Sequence, residues 1–442
     1  MATIPQVSQA MQTVLTTVAD AAARTTRFVQ RQSKLTGALF TQTLVFGFLA
    51  NPHSTREELA QTAATLGLAI SPQGLDQRMT ELAASCLLEV LDASAATVLA
   101  ADPVAIPLLS RFSGVYIQDS SLIGLPSTLA QIWRASGNQH TEADASAGLK
   151  LSLRLNLSTG GLSGPHTDHA ITSDQALQLQ QAPIPAGALR IADLGFFNLD
   201  VLHEIESAEG YFLTRPQITT VMRTPEGLRL DLLSFLARAN SATVDVPIQL
   251  GAQRRLSCRL LAVRVPQEVA DQRRRRIREE AKRRGRTPNA EALALAEWTI
   301  FVTNVPQELL SVREALILGR ARWQIELLWK LWKSQGQIDQ WRSAKAGAIL
   351  CELYAKLIAM IVQHWIMLVG CWAYADRSLS KAAATVRKHA MCLASALRCG
   401  GELAKAIGII AECLALGCRI NKSRKKPHTY QLLLDVTEAL LG

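Results

Sequence analysis

Two aspartates close short apolar runs, Asp119 in GVYIQDSS and Asp193 in ALRIADLGFF. Strand ends in α/β sheets are where such folds present functional groups. An aspartate after a strand is also an ordinary turn residue, so each of the two needs a partner to acquire meaning. A candidate lies far downstream, in GRARWQIELLWKLWKSQGQID. On a helix Arg322, Glu326 and Lys333 fall at spacings of four and seven and share a face. Ile325, Leu328 and Trp332 then line the opposite side, where they are available for burial. A carboxylate flanked by cations in this way is a solvated salt-bridge ladder or a metal ligand beside phosphate clamps, since a phosphodiester backbone needs both divalent cations and positive side chains. Periodicity does not separate the two.

The elements that must position these residues are those of a large, basic chain. It has 442 residues, 47 Lys+Arg against 37 Asp+Glu, and a formal charge of +10. A hydrophobic fraction of 48% excludes wholesale disorder, and the length suggests about three domains. The positive charge points to a polyanion, either nucleic acid or an anionic membrane surface. It is concentrated in RRRRIREEAKRRGR, where nine of the fourteen residues from Arg273 to Arg286 are basic. Arg274, Arg278, Lys282 and Arg286 recur every four residues, which predicts one cationic stripe along a helix. The run RINKSRKK, Arg419 to Lys426, adds a second cluster.

Eight cysteines, at positions 86, 258, 351, 371, 392, 399, 413 and 418, include no CxxC pair. Reduced, buried thiols in a cytosolic protein are the expectation. The first twenty residues lack a basic region followed by an apolar one, which argues against a secretion signal. Leu357 to Ala375 carries no formal charge and is long enough to span a bilayer. Gln363 and His364 interrupt it, and the helical pattern already running through Glu352 and Lys356 makes it a core helix on this reading.

Residues from about 26 to 100 read as helical. Ser54 with Glu57 forms a capping box, Gly67 ends a helix, and Ser71-Pro72 starts another. The outline is that of a helix-turn-helix presenting Gln73, Gln77 and Arg78, or equally of an ordinary helical hairpin. From Gly114 the pattern becomes strand-like. LKLSLRLNL alternates with period two, as a half-buried strand does, then a helix is expected over Asn198 to Ile205 and a strand over Tyr211 to Arg215. The result is a mixed α/β core. LRLDLL, VDVPIQL and CRLLAVRV supply further alternating stretches, and after WTIFVTNVP the chain is helical from near Ser311 almost to Gly417. His166, Asp168 and His169 in GPHTDHA look superficially like a metal site, but a loop between strands explains them as well, and they are given no role.

RWQIELLWKLWKS resembles the tyrosine–arginine–glutamate–lysine signature of bacterial DDE transposases of the insertion sequence 4 family. Arg322, Glu326 and Lys333 match it, with Gly319 where tyrosine is expected. YIQDSS resembles the segment carrying that family's first catalytic aspartate, here Asp119, and IADLGFF the second, here Asp193. GLKLSLRLNLSTGGL resembles the second and third strands of its RNase H-like core, and TNVP the strand returning from its β-rich insertion. The matches run in order over roughly residues 30 to 370. Leu194 stands where many relatives carry arginine.

What the resemblance implies is an α/β protein with an RNase H-like catalytic core and a β-rich insertion domain, flanked by helical N- and C-terminal regions. The corresponding boundaries are 1–105 for a DNA-binding helical region, 106–216 and 301–375 for the two parts of the core, 217–300 for the insertion, and 376–442 for a C-terminal region that carries a dimer contact or caps the core. Asp119, Asp193 and Glu326 would hold two Mg²⁺ ions, with Mn²⁺ able to substitute, while Arg322, Lys330 and Lys333 would grip phosphates. Arg274, Arg278, Lys282 and Arg286 would face the transposon end. Trp298 would either stack on a flipped base or serve as a core tryptophan. The partners implied are double-stranded DNA, as terminal inverted repeats and target, and a second copy of the chain, in the cytoplasm and without a membrane. A non-catalytic DNA-binding inhibitor or domesticated remnant is the alternative.

Overall fold

The computed structural model describes residues 2–31, 33–135, 146–398 and 400–434. Its described strands form one sheet in the order β3-β2-β1-β4-β5-β10-β9-β8-β6-β7. The strands are β1 Val115–Leu125, β2 Ala147–Asn156, β3 Leu162–His169, β4 Leu189–Ala192, β5 Tyr211–Thr214, β6 Met222–Arg223, β7 Arg229–Leu230, β8 Thr243–Leu250, β9 Leu256–Arg264 and β10 Trp298–Thr303. β1, β2 and β3 form an antiparallel meander, whereas β4 and β5 run parallel to β1. Parallel pairing needs a crossover, and the helix Leu199–Ser207, capped by Asn198, supplies the one between β4 and β5.

The alternation in LKLSLRLNL does give a strand, but not a half-buried one: every residue of β2 is buried. Its leucines face the main core, and its polar face is covered by the segment after β3, on which Lys150 and Arg154 find carbonyl and carboxylate partners. His166, Asp168 and His169 belong to β3 and pair with β2, so they are not in a loop.

Residues 217–300 do not build a separate sheet. β10 returns antiparallel to β5, pairing Val302 with Thr214, and β9, β8, β6 and β7 extend the same sheet outward. They enclose a second apolar cluster that includes Leu236, Leu250, Leu260 and Val302. LRLDLL is strand only at Arg229–Leu230, because Asp231 accepts from the Ser234 amide at 2.7 Å and caps the helix Leu232–Ala237.

The helical N-terminal region begins at Ile4, earlier than the pattern suggests, and Gly37–Ala50 is buried on nearly all sides. The cap of Arg56–Thr65 is Thr55 with Glu58, one residue beyond the expected pair. Ser54 is instead buried, donating to the Gly47 carbonyl at 3.1 Å. Ser71 caps Pro72–Arg78, on which Gln73, Gln77 and Arg78 are exposed.

One described helix, Ala346–Gly370, is long and apolar enough to cross a membrane, and 94% of its most apolar window is buried inside the fold. The polar residues that mark it are matched to protein partners: Gln363 donates to the Ala383 carbonyl at 3.2 Å, and His364 Nε2 lies 2.7 Å from the Gly160 carbonyl. Gly160 is at φ +71°, and a side chain there would overlap the Trp372 ring, so the turn between β2 and β3 docks directly on this helix. The helices Leu379–Lys388 and Gly400–Gly417 pack against it. Cys86, Cys258, Cys351, Cys371 and Cys418 are buried free thiols, while Cys392 is exposed and Cys413 partly so. Cys399 lies outside the described residues.

Candidate active site

Strand β1 does not end at Asp119, as the apolar run suggests, but continues to Leu125 on its pairing with β2. Position 119 is therefore mid-strand. Alternation puts its side chain on the face of Ile117 and Ile123, both buried in the main core. β4 pairs with β1 only as far as Ala192 opposite Gln118. The next residue along β1 is Asp119, and the residue that follows β4 is Asp193, so the two stand side by side just beyond the last paired residues. Asp193 alternates with Ile191, which lies in the same apolar cluster as Ile117, so the two carboxylates share a face. Asp193 is where the chain turns, in extended conformation, into the 3₁₀ turn Leu194–Phe196.

Beyond Gln118 the β4 side of β1 is open, and the helix Trp323–Ser334 lies across it. Ile325, Leu328 and Trp332 are fully buried on the inner side of that helix, as their spacing predicts. Lys333 donates to the Leu122 carbonyl of β1 at 3.0 Å, which ties the helix to the strand. Arg322 and Glu326 form an ion pair at 2.6 Å. Lys330 points outward and is exposed. Thus the structure brings Asp119, Asp193, Glu326 and Arg322 together and holds Lys333 three residues further along β1, with one N–H spent on strand backbone.

Burial raises the Asp119 carboxyl to about 6; Arg322 pulls it down, and Glu326 and Asp193 push it up. Three hard oxygen donors whose charges repel one another suit a divalent cation, which would relieve that repulsion. Among the described residues no three His, Cys, Asp or Glu side chains are drawn into a ready-made metal cage. Glu326 would have to exchange Arg322 for the cation.

The other expected contacts divide. Trp298 is only 6% exposed, within the second apolar cluster, and the Arg264 guanidinium covers its ring at 4.8 Å. It is a core tryptophan here and presents no face for stacking. The run Arg273–Arg286 is not one stripe. The helix Gln267–Arg283 ends before Gly285, at φ +61°, so Arg286 leaves the helical face. Arg274 faces inward, paired with Asp271 at 2.9 Å and with Glu297, and Arg273 donates to the Trp298 carbonyl at 3.0 Å. Arg278 and Lys282 remain exposed on the helix.

A cavity of about 1200 Å³ opens beside the Glu326 helix, between β10, the helix Val312–Ala321 and the segment 420–433. Arg215, Arg273, Arg320, Arg322, Lys330 and Lys426 line it, and none of the described lining residues is acidic. Lys426 closes the basic run Arg419–Lys426 that the sequence already marks, but sequence spacing gave no signal for Arg215 or Arg320, because no periodicity links positions so far apart in the chain. Gly319 also lines this cavity. A Cβ there would overlap the ring of Phe301, so an aromatic of β10 occupies the space next to the position where the resembled signature has tyrosine.

Residues 110–362, which include all three carboxylates, match the family model of the transposase DDE domain. The chain is similar to the transposase for insertion sequence element IS231F of Bacillus thuringiensis subsp. israelensis, 26% identical over 361 residues, covering 77% of this chain and 75% of that one. It is also similar to the transposase for insertion sequence element IS1151 of Clostridium perfringens, 23% identical over 372 residues, covering 78% of this chain and 76% of that one. A putative transposase, InsL for IS186A of Escherichia coli (strain K12), is 28% identical over 50% of this chain and 62% of its own. The matched model spans more than half of the sequence and carries with it the RNase H-like core and a general dependence on divalent metal. On this footing the chain belongs to the insertion-sequence DDE transposases, enzymes that cleave DNA and transfer its strands.

Proposed function

We propose that Asp119, Asp193 and Glu326 are the metal-holding carboxylates and that the protein carries out cut-and-paste transposition of an element bounded by terminal inverted repeats. The observation that supports this most directly is that Asp119 and Asp193 each follow the last paired residues of the parallel strands β1 and β4, Gln118 and Ala192, with Asp193 and Glu326 both close enough to push the Asp119 carboxyl up. Bound divalent cations, Mg²⁺ with Mn²⁺ able to substitute, supply Lewis acidity at the attacked phosphodiester. The chain's own residues do the rest. Arg322 sits beside the carboxylates and takes up a phosphate oxygen when Glu326 leaves it. Lys330, Arg320 and Lys426 neutralise phosphates along the cavity, none of whose described lining residues is acidic. Arg278 and Lys282 extend the cationic surface along the helix Gln267–Arg283, which makes the stretch 217–300 an insertion that holds the transposon end. Residues 1–105 serve as the helical DNA-binding region, through Gln73, Gln77 and Arg78. The two parts of the core are 106–216 and 301–375, and 376–442 is the C-terminal region, of which 399 and 435–442 lie outside the described residues. Two ends must be joined, so a homodimer on DNA is the working form, acting in the cytoplasm on its own element and on target DNA.

The test is cleavage of a labelled duplex carrying the element's terminal repeat, with Mg²⁺ or with EDTA, by wild type and Glu326→Ala. Metal-dependent cutting at the repeat boundary, lost in Glu326→Ala while DNA binding persists, is the expected result. Tight binding without cleavage by wild type under Mg²⁺ and Mn²⁺ would instead assign the protein to the DNA-binding inhibitors.

A further inference from the structure

On the face of the sheet opposite Asp119 and Asp193, the segment from Thr172 to Pro183 is fastened to the two strands that carry them. Both sequence neighbours of Asp119 are attached to it: Gln118 donates to Gln180 Oε1 at 2.9 Å, and Ser120 Oγ donates to Asp174 Oδ1 at 2.8 Å. The turn after Asp193 is attached to it as well. Gln180 donates to the Phe196 carbonyl at 2.8 Å, and Gln175 donates to the Phe197 carbonyl at 3.0 Å. Gly195 lies so close that a Cβ there would sit 2.7 Å from Asp174 Oδ2. Lys150 of β2 donates to Asp174 at 3.1 Å and also to the Thr172 carbonyl, which pins the segment and balances the charge of Asp174. Gln180 and Gln118 are 1% and 0% exposed, so their amides have no solvent to exchange with.

These contacts converge on two side chains. Asp174 touches the residue after Asp119 and the residue two beyond Asp193, while Gln180 bridges the residue before Asp119 to Phe196. β4 ends at Ala192, so sheet hydrogen bonding no longer fixes the distance between the two strands at the level of the aspartates. We propose that Asp174 and Gln180 are positioning residues that set the separation of Asp119 and Asp193, and through it the affinity of the site for a divalent cation. The inference rests on the reading of Asp119, Asp193 and Glu326 as metal-holding groups. Groups that orient metal ligands from behind typically change metal affinity by about 10–100-fold when removed, because the ligands keep their chemistry but lose their geometry.

The experiment is calorimetric titration of the full-length, metal-free protein with Mn²⁺, alongside repeat-DNA binding in EDTA. Asp174→Ala removes the acceptor of Ser120 and is expected to weaken Mn²⁺ binding at least about tenfold, with DNA affinity in EDTA unchanged. Asp174→Asn keeps an acceptor oxygen for Ser120 and is expected to retain most of the affinity. Gly195→Ala, which leaves the Lys150 pair in place, pushes on Asp174 from the other side. It is expected to weaken Mn²⁺ as Asp174→Ala does, and it carries the test should Asp174→Ala fail to fold. Wild-type Mn²⁺ affinity in both Asp174→Ala and Gly195→Ala would overturn the proposal. Loss in Asp174→Asn equal to that in Asp174→Ala would also overturn it, because the acceptor offered to Ser120 would then not be what holds the site. Asp119→Asn and Glu326→Ala are the controls: Mn²⁺ binding that survives both would refute the three-carboxylate reading itself, and this proposal with it.

Discussion

A carboxyl raised from its ordinary 3.8 to about 6 is a built-in cost to the metal-free fold. The shift is about two pH units, and at 1.36 kcal/mol per unit it corresponds to about 3 kcal/mol at neutral pH. The sign follows from linkage. Because the folded-state value lies above the unfolded one, the favourable contribution is complete below pH 3.8, fades as the pH rises through 6, and is absent at pH 7.5. Asp119→Asn removes the ionisation while keeping the shape, so it is expected to stabilise the metal-free protein at pH 7.5. With an unfolding entropy of about 2.1 cal/mol/K per residue, a chain of this length converts about 3 kcal/mol into a melting temperature about 3 °C higher. Paired thermal melts of wild type and variant in EDTA, at pH 7.5 and at pH 4, measure it. The gap should be present at the higher pH and reduced to a small remainder at the lower, which lies just above 3.8. Mn²⁺ should raise the melting temperature of wild type and leave the variant where it is. A variant that melts at or below wild type at pH 7.5, or a gap unchanged at pH 4, would refute the view that burial raises the Asp119 carboxyl.

Three other outcomes follow from the same geometry. Replacing Arg278 and Lys282 together by glutamate should weaken repeat-DNA binding and reduce the slope of log affinity against log salt by roughly 2, as filter binding across a salt series would show; Arg274→Ala, which breaks the contacts with Glu297 and Asp271, should lower the melting temperature and leave that slope alone. Gly319→Tyr should destabilise by about 1–3 kcal/mol through overlap with Phe301, and adding Phe301→Ala should recover part of that loss, a coupling that denaturant melts of the single and double variants measure. Trp298→Ala should cost about 3–5 kcal/mol of stability, with DNA affinity preserved in a titration at a temperature where the variant is folded, because the ring is buried rather than offered to a base.

Much of the site was legible because local rules write it. Helical spacing is enough to place Arg322, Glu326 and Lys333 on one face and Ile325, Leu328 and Trp332 on the other. Alternation marks β2, and a capping serine before proline marks the helix Pro72–Arg78. The same rules misplace what depends on distant partners. Asp119 reads as a strand end because the apolar run stops there, yet pairing with β2 carries β1 on to Leu125. Arg274 reads as a member of a cationic stripe, yet Glu297, remote in sequence, draws it inward.

The sequence by itself determined the helix that carries Glu326, the shared face of Arg322, Glu326 and Lys333 and the cationic character of the chain, since residue type and short-range periodicity are local properties; the grouping of Asp119, Asp193 and Glu326 came from the family resemblance. Only the tertiary structure decided that Asp119 and Asp193 lie side by side, that Trp298 is core, that residues 217–300 extend the same sheet, and that Arg215, Arg320 and Lys426 line one cavity. These are outcomes of strand register and of which surfaces are buried together. Both are set by contacts between residues tens to hundreds of positions apart, which no local pattern encodes.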